Sequence, residues 1–146
     1  MPDAEWLKQH ELYRDLTYED IRFLGDYTVE QTFRRGAPIV EEGDSQNPGA
    51  SFIKSGSAKV AIKIKNVEKV LAFFRGGDFF GEMSLVQSQL PRSASVVAVA
   101  DTTVFVLTHS NYERLKRDHP STVFRLLEIF LKVMANRLRE TSKRVQ

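Results

Sequence analysis

Glu82 and Arg92 stand in surroundings that would let them do chemistry together. The first belongs to the run Gly76-Gly77-Asp78-Phe79-Phe80-Gly81-Glu82-Met83-Ser84-Leu85, the second to Pro91-Arg92-Ser93-Ala94-Ser95-Val96. Gly76-Gly77-Asp78 is a strong turn signal, and Glu82 to Leu85 can form a brief helical turn before Pro91 interrupts it. A helix start carries unpaired N–H donors and partial positive charge, and Gly81, lacking a Cβ, lets a ligand approach the backbone. Arg92 offers a planar fork of donors suited to two phosphate oxygens, and Glu82 is an acceptor-only group suited to two ribose hydroxyls. One cation and one anion match one sugar-phosphate. A Glu and an Arg alone read as a surface ion pair; it is the ordered company they keep that argues for a site.

The stretch Phe80-Gly81-Glu82-Met83-Ser84-Leu85, then Pro91-Arg92-Ser93-Ala94-Ser95-Val96, resembles the phosphate-binding cassette of the cyclic nucleotide-binding domain family. Nine residues separate Glu82 from Arg92, at the long end for that family. The resemblance extends to Phe33-Arg34-Arg35-Gly36 through Glu42-Gly43-Asp44, and to Phe52-Ile53 with Gly56. It implies a mainly β fold, an eight-stranded jelly-roll-like β-barrel with N-terminal helices and a C-terminal lid helix. It also implies that Gly81 and Glu82 hold the ribose and Arg92 and Ser93 the cyclic phosphate, with Met83 and Ala94 as further binding residues. The ligand it implies is cAMP, with cGMP as the alternative, because Ser93 could also touch the amino group of a syn guanine.

The run Met134-Ala135-Asn136-Arg137-Leu138-Arg139-Glu140-Thr141-Ser142 is similar to the last helix of catabolite-activator-type members, whose Thr-Ser pair reaches adenine. Thr141 and Ser142 are candidates for base contacts on that ground. Counted from Pro120 the pair lies about four residues further along, an extra turn at about 1.5 Å per residue. Arg137 is the other candidate to cap the base; its alternative is an ordinary solvated arginine. Three departures from the family pattern bear on pocket shape: a longer Gly43 to Phe52 loop containing Pro48-Gly49, a cassette loop Val86-Gln87-Ser88-Gln89-Leu90 without glycine, and apolar Leu90 near the mouth.

These residues need a scaffold. From Ala4 to Gly25 the residues Trp6, Leu7, Leu12, Leu16, Ile21 and Leu24 form an apolar stripe, and Thr17 with Asp20 resembles a capping box, so short helices are predicted. From Thr28 to Leu107 short β-rich runs alternate with turns: Ile39-Val40, Ser51 to Lys54, Lys59 to Lys65, Val67 to Phe74, then two strands around Asp101-Thr102-Thr103. Val60, Ile62 and Ile64 alternate with Lys59, Lys63 and Lys65, which predicts one buried and one wet face. After Ser110 the helical period returns, breaks at His119-Pro120, and resumes as a long helix. That helix puts Val123, Leu126, Leu127, Phe130, Val133, Met134, Arg137 and Leu138 on one side. The β-roll is the expected cover, with a weak dimer seam on a second copy. The expected division is one domain over 1–146: a helical cap 1–27, a β-roll 28–108 with the cassette at 76–96, and C-terminal helices 109–146.

At 146 residues, 42% hydrophobic, the chain can bury one core, and a formal net charge of +2 points to neither nucleic acid nor membrane. There is no cysteine, no signal-like N-terminal run and no stretch near the roughly 18 apolar residues of a membrane span. A cytoplasmic protein is expected. No Gly-x-Ser-x-Gly elbow, Walker loop or Rossmann glycine set occurs, and His10, His109 and His119 are too scattered for a cupin metal site, so no enzyme and no metal is expected. With Gln146 just past the last helix, no DNA-binding output domain is expected. The expectation is a stand-alone cyclic nucleotide sensor that signals through its last helix to a protein partner or homodimer mate. The competing expectation is a scaffold of the same fold that has lost its ligand.

Overall fold

Thr17 starts the first regular helix as its sequence predicts. Its hydroxyl accepts the Asp20 N–H at 3.0 Å and the Asp20 carboxylate accepts the Thr17 N–H at 2.9 Å, so two otherwise unpaired donors are satisfied. The computed structural model, which describes residues 3–144, shows this helix as α1 (Tyr18–Tyr27), preceded by 3-10 turns at Glu5–Gln9 and Glu11–Tyr13. Met1, Pro2, Val145 and Gln146, the ends of the expected domain, lie outside the described residues.

The strands follow as β1 (Val29–Phe33), β2 (Pro38–Val40), β3 (Gly49–Ser55), β4 (Ser57–Ile64), β5 (Val67–Arg75), β6 (Phe79–Phe80), β7 (Ser95–Ala98) and β8 (Thr102–Thr108). They form two four-stranded antiparallel sheets, ordered β1-β8-β3-β6 and β2-β7-β4-β5. A single turn, α2 (Met83–Val86), lies between β6 and β7, and the chain ends in α3 (His109–Asp118) and α4 (Pro120–Arg144). The fold is therefore mainly β with flanking helices, as expected. Among the described residues no ladder joins the two sheets, so they pack as a two-layer roll rather than a hydrogen-bonded closed barrel.

In the first sheet β3, β6 and β8 are buried on both faces, while the edge strand β1 is largely exposed. Ile53, Phe80 and Val104 meet Ala58 and Val96 of the second sheet. Their neighbours Phe52, Phe79 and Phe105 point the other way, into a core shared with Leu7, Tyr13, Leu16, Leu24, Leu115, Leu126 and Phe130. This alternation is what period-2 side chains on a central strand require. The expected alternation of Val60, Ile62 and Ile64 is not what β4 does. The register shifts between Val60 and Ala61, where a bulge places Ala58 and Ala61 in the interior and leaves Ile64 exposed. The physical reason is coverage: β7 pairs β4 only from Ala58 to Ala61, and residues further out pair with β5 alone.

Along α4 the apolar stripe divides. Val123, Leu126, Ile129 and Phe130 are buried, and the Phe130 ring lies 4.7 Å from that of Phe79. Leu131, Met134 and Leu138 are exposed. The near half is also tied down by charge: Asp20, 1% exposed, accepts from Arg125 Nε at 2.6 Å and Nη2 at 2.9 Å, and from the Thr122 hydroxyl. Burial pushes the Asp20 carboxyl up, but hydrogen bonds from Arg125, Thr122 and Thr17 with the Arg125 charge outweigh it and bring it down to about 2.

Candidate functional site

The cassette begins at a turn held from outside. The buried Tyr13 hydroxyl donates to the Gly77 carbonyl at 2.7 Å, and the Asp78 carboxylate accepts the Arg75 N–H at 2.9 Å. Phe79 and Phe80 then pair with Phe52 and Ser51. Gly81 has φ +80°, and a Cβ there would lie 2.6 Å from Arg92 Nη1 and 2.7 Å from the Gly49 carbonyl oxygen. Glycine is thus required twice, for the left-handed backbone and for the space Arg92 occupies. Glu82 opens α2 without capping it, which leaves its carboxylate, 11% exposed, facing a cavity.

Arg92 is braced at backbone and side chain. Its N–H donates to Asp44 O at 2.8 Å and its carbonyl accepts from Gly43 N at 2.8 Å. Its Nη2 donates to Gly49 O at 3.0 Å and Asn47 O at 3.3 Å. The expected Gly43 to Phe52 loop ends earlier, where β3 begins at Gly49, and its end with the first residue of β3 supplies the carbonyls that hold the guanidinium. Burial pushes the Arg92 guanidinium down from its ordinary value, and the Asp44 carboxylate partly counters this. Among the described residues, no backbone carbonyl accepts from the Ser93 or Ala94 N–H.

Sequence reasoning passed over three supports. Ser84 accepts from Gly49 N at 2.6 Å and donates to Gly49 O at 3.0 Å, stitching α2 to the start of β3. Gly49 itself has no room for a Cβ, which would meet Leu107 O at 2.7 Å. His109 Nδ1 lies 2.8 Å from Leu85 O, tying α2 to α3. These pairs are distant in sequence, 35 residues in the case of Ser84 and Gly49, and no local motif marks them.

The cavity measures about 410 Å³, within the range of small-molecule sites. Gly81, Glu82, Met83, Arg92, Ser93, Ala94 and Arg137 all line it, with Val40, Val60, Phe74, Phe80, Leu90 and Val96 as its apolar walls. Arg137 reaches in from α4. Its Nη1 is 3.7 Å from Glu82 Oε1, its guanidinium lies 5.3 Å and 5.6 Å from the ring centres of Phe74 and Phe79, and Nη2 donates weakly to Phe79 O at 3.4 Å. Arg137 is 44% exposed, and its guanidinium nonetheless meets the wall of the cavity. Thr141 and Ser142 are not among the lining residues. They are exposed one turn beyond Arg137, and the Thr141 hydroxyl turns back to the Arg137 carbonyl at 3.0 Å. The extra turn seen in the sequence carries them past the mouth. Chemically, the arrangement offers a half-buried, braced cation, a shielded carboxylate, and apolar walls with a second cation facing that carboxylate.

The model of the family described as "cyclic nucleotide-binding domain" matches residues 30–119, which takes in the strands, α2 and α3 and stops short of α4. A cAMP-dependent protein kinase regulatory subunit of Colletotrichum orbiculare is 32% identical over 111 residues, covering 76% of this chain and 27% of that protein. A cyclic AMP receptor protein of Thermus thermophilus is 32% identical over 137 residues, covering 92% of this chain and 60% of that protein. The crystal structure of a cyclic nucleotide-binding domain from Methylobacillus flagellatus superposes with a TM-score of 0.83 at 28% identity, over 98% of this chain and 80% of that one. The chain spans less than two thirds of the length of either full-length relative.

Proposed function

This chain belongs to the cyclic nucleotide-binding domain family, and from that membership we propose that it is a cyclic mononucleotide sensor, a binding module rather than an enzyme. The observation that carries the reading is the convergence of Gly81, Glu82 and a braced Arg92 on one cavity. Arg92, with the N–H groups of Ser93 and Ala94, takes the cyclic phosphate; Glu82 takes the ribose hydroxyls; Met83 and the apolar walls flank the sugar and base. Arg137 stacks over the base in place of Thr141 and Ser142. The preferred ligand is cAMP over cGMP, in keeping with the names of the kinase subunit and the receptor protein. Residues 1–146 act as one cytoplasmic domain. Output passes through the exposed far half of α4, where Leu131, Met134 and Leu138 continue the stripe, to a second copy or a protein partner.

A second reading has its own observation. Arg137 stands 3.7 Å from Glu82, and the cavity-lining Met83 and Leu90 expose apolar surface, as a ligand-free scaffold would. Titration calorimetry with cAMP and with cGMP separates the two. Saturable heat with either nucleotide is expected, with tighter binding of cAMP; no heat at millimolar nucleotide would favour the scaffold.

A further inference from the structure

The hairpin of β4 and β5 is strongly cationic and, beyond Ala61, little covered. Residues 57–75 contain five basic side chains, Lys59, Lys63, Lys65, Lys69 and Arg75, against one acidic, Glu68. Glu68 is already paired with Lys59 at 2.8 Å. Among the described residues no carboxylate lies within ion-pair distance of Lys63, Lys65 or Lys69; Glu42 accepts only the Lys63 backbone N–H. A net charge of +2 for the whole chain averages this concentration away.

The hairpin is also apolar where it should be wet. Ile64 is 50% exposed, Val67 67% and Phe73 68%, and Val70 and Leu71 are exposed as well. β5 forms the edge of its sheet, and edge strands commonly carry lysines to prevent pairing with other chains. That accounts for the lysines but not for large aliphatic side chains beside them. Beyond Ala61 the ribbon leaves β7 behind and is only two strands wide. It closes in a two-residue turn with Lys65 at φ 52° and Asn66 at φ 65°, flanked by the pair Ile64 and Val67.

From this we infer that the β4–β5 hairpin is an interfacial anchor for an anionic lipid bilayer, with Ile64 and Val67 entering the headgroup boundary and Lys63, Lys65 and Lys69 meeting lipid phosphates and carboxylates. A narrow tip needs a matching cleft in a rigid partner, whereas a bilayer deforms around it. Exposed apolar residues ringed by lysines combine the two attractions that hold peripheral proteins at membranes. Among the described residues no helix is long and apolar enough to cross one. The anchor is independent of the nucleotide reading, though Val60 and Phe74 of the same hairpin line the cavity.

The test is co-sedimentation of the full chain, without nucleotide, with phosphatidylcholine vesicles and with vesicles containing phosphatidylserine. Binding is expected only to the anionic vesicles, falling as salt rises, and weakening about fivefold for each lysine removed. The triple substitution Lys63→Glu, Lys65→Glu, Lys69→Glu should abolish it, and Ile64→Ser with Val67→Ser should weaken it about tenfold. As a readout independent of affinity, the emission of Val67→Trp should shift to the blue on adding anionic vesicles. Absence of binding at low salt, or binding indifferent to the three charge reversals, overturns the inference. So does a change in sedimentation coefficient of the Ile64→Ser, Val67→Ser protein without vesicles, because the hairpin would then be covered by a second copy.

Discussion

The cassette side of the cavity and the helix that crosses it are built on opposite plans. On the cassette side the supports are hydrogen bonds to backbone groups: Arg92 to Asn47 and Gly49, Ser84 to Gly49, and Tyr13 to the Gly77 turn. On the α4 side, beyond Phe130, among the described residues only Arg137 reaches the cavity, through an ion pair at 3.7 Å and a hydrogen bond at 3.4 Å. The first half of the same helix is locked by Asp20 and the aromatic core. The cassette side is thus preformed, while the far half of α4 meets the cavity through one side chain. Under the proposed function that half of the helix is the lid, and a ligand shifts it only by preferring one of its arrangements.

Removing Arg92 attacks the preformed side and has the largest expected effect. A cyclic phosphate in the cavity would lose its charge partner, about 2 to 5 kcal/mol in comparable desolvated pairs. Arg92→Ala should bind cAMP at least about thirtyfold more weakly by calorimetry. Unchanged affinity would mean that the preformed side is not where the ligand is held.

Removing Asp20 attacks the root of α4. Its folded pKa, about 2, lies below the ordinary carboxylate value of about 3.9. The linked stability, about 2 to 3 kcal/mol, is therefore present above pH 4 and lost as pH falls from about 4 to about 2. Asp20→Asn should lower stability by a similar amount at pH 7 in urea denaturation, and its stability should fall less than the parent's in that acid window. Equal acid sensitivity in both proteins would show that other carboxylates set the transition.

Gly81→Ala comes next. The left-handed backbone costs a side chain about 1 kcal/mol, and the new methyl would displace Arg92, so stability should fall by about 1 to 2 kcal/mol and cAMP affinity with it. A stability loss with affinity intact would show that Arg92 can move without leaving the phosphate.

What could be read from the chain follows the range of the interactions. Thr17 and Asp20 announce the start of α1, and Pro120 that of α4, because caps and helix starts are set by residues a turn apart. Asp20 has a second job, locking Arg125 from 105 residues away, that no local pattern encodes. The β4 bulge was hidden for the same reason: alternation records which residues suit a buried face, while the partner strand decides where that face ends. At the cavity, Gly81 and Glu82 were legible from one continuous motif. Arg137 was ambiguous, because the register of α4 against Phe79, 58 residues earlier, is a tertiary fact.

The smallest expected effect is at the lid, and it decides whether the two sides communicate. Arg137 is half exposed and its pair with Glu82 is long, so the pair contributes within the 0 to about 1 kcal/mol of surface ion pairs. Stacking on a base adds about 0.5 to 1 kcal/mol. Arg137→Ala should therefore weaken cAMP by about three- to tenfold, less than Arg92→Ala, while freeing Glu82 for the ribose. Because Glu82 loses a competitor, a nucleotide lacking the 2′-hydroxyl should be penalised more in Arg137→Ala than in the parent. Truncation after Leu131 should reproduce the affinity loss and remove any ligand dependence of self-association measured by sedimentation. If Arg137→Ala binds as the parent does and hydrogen exchange in residues 132–144 ignores the nucleotide, α4 is a fixed wall and the signal must leave by another surface.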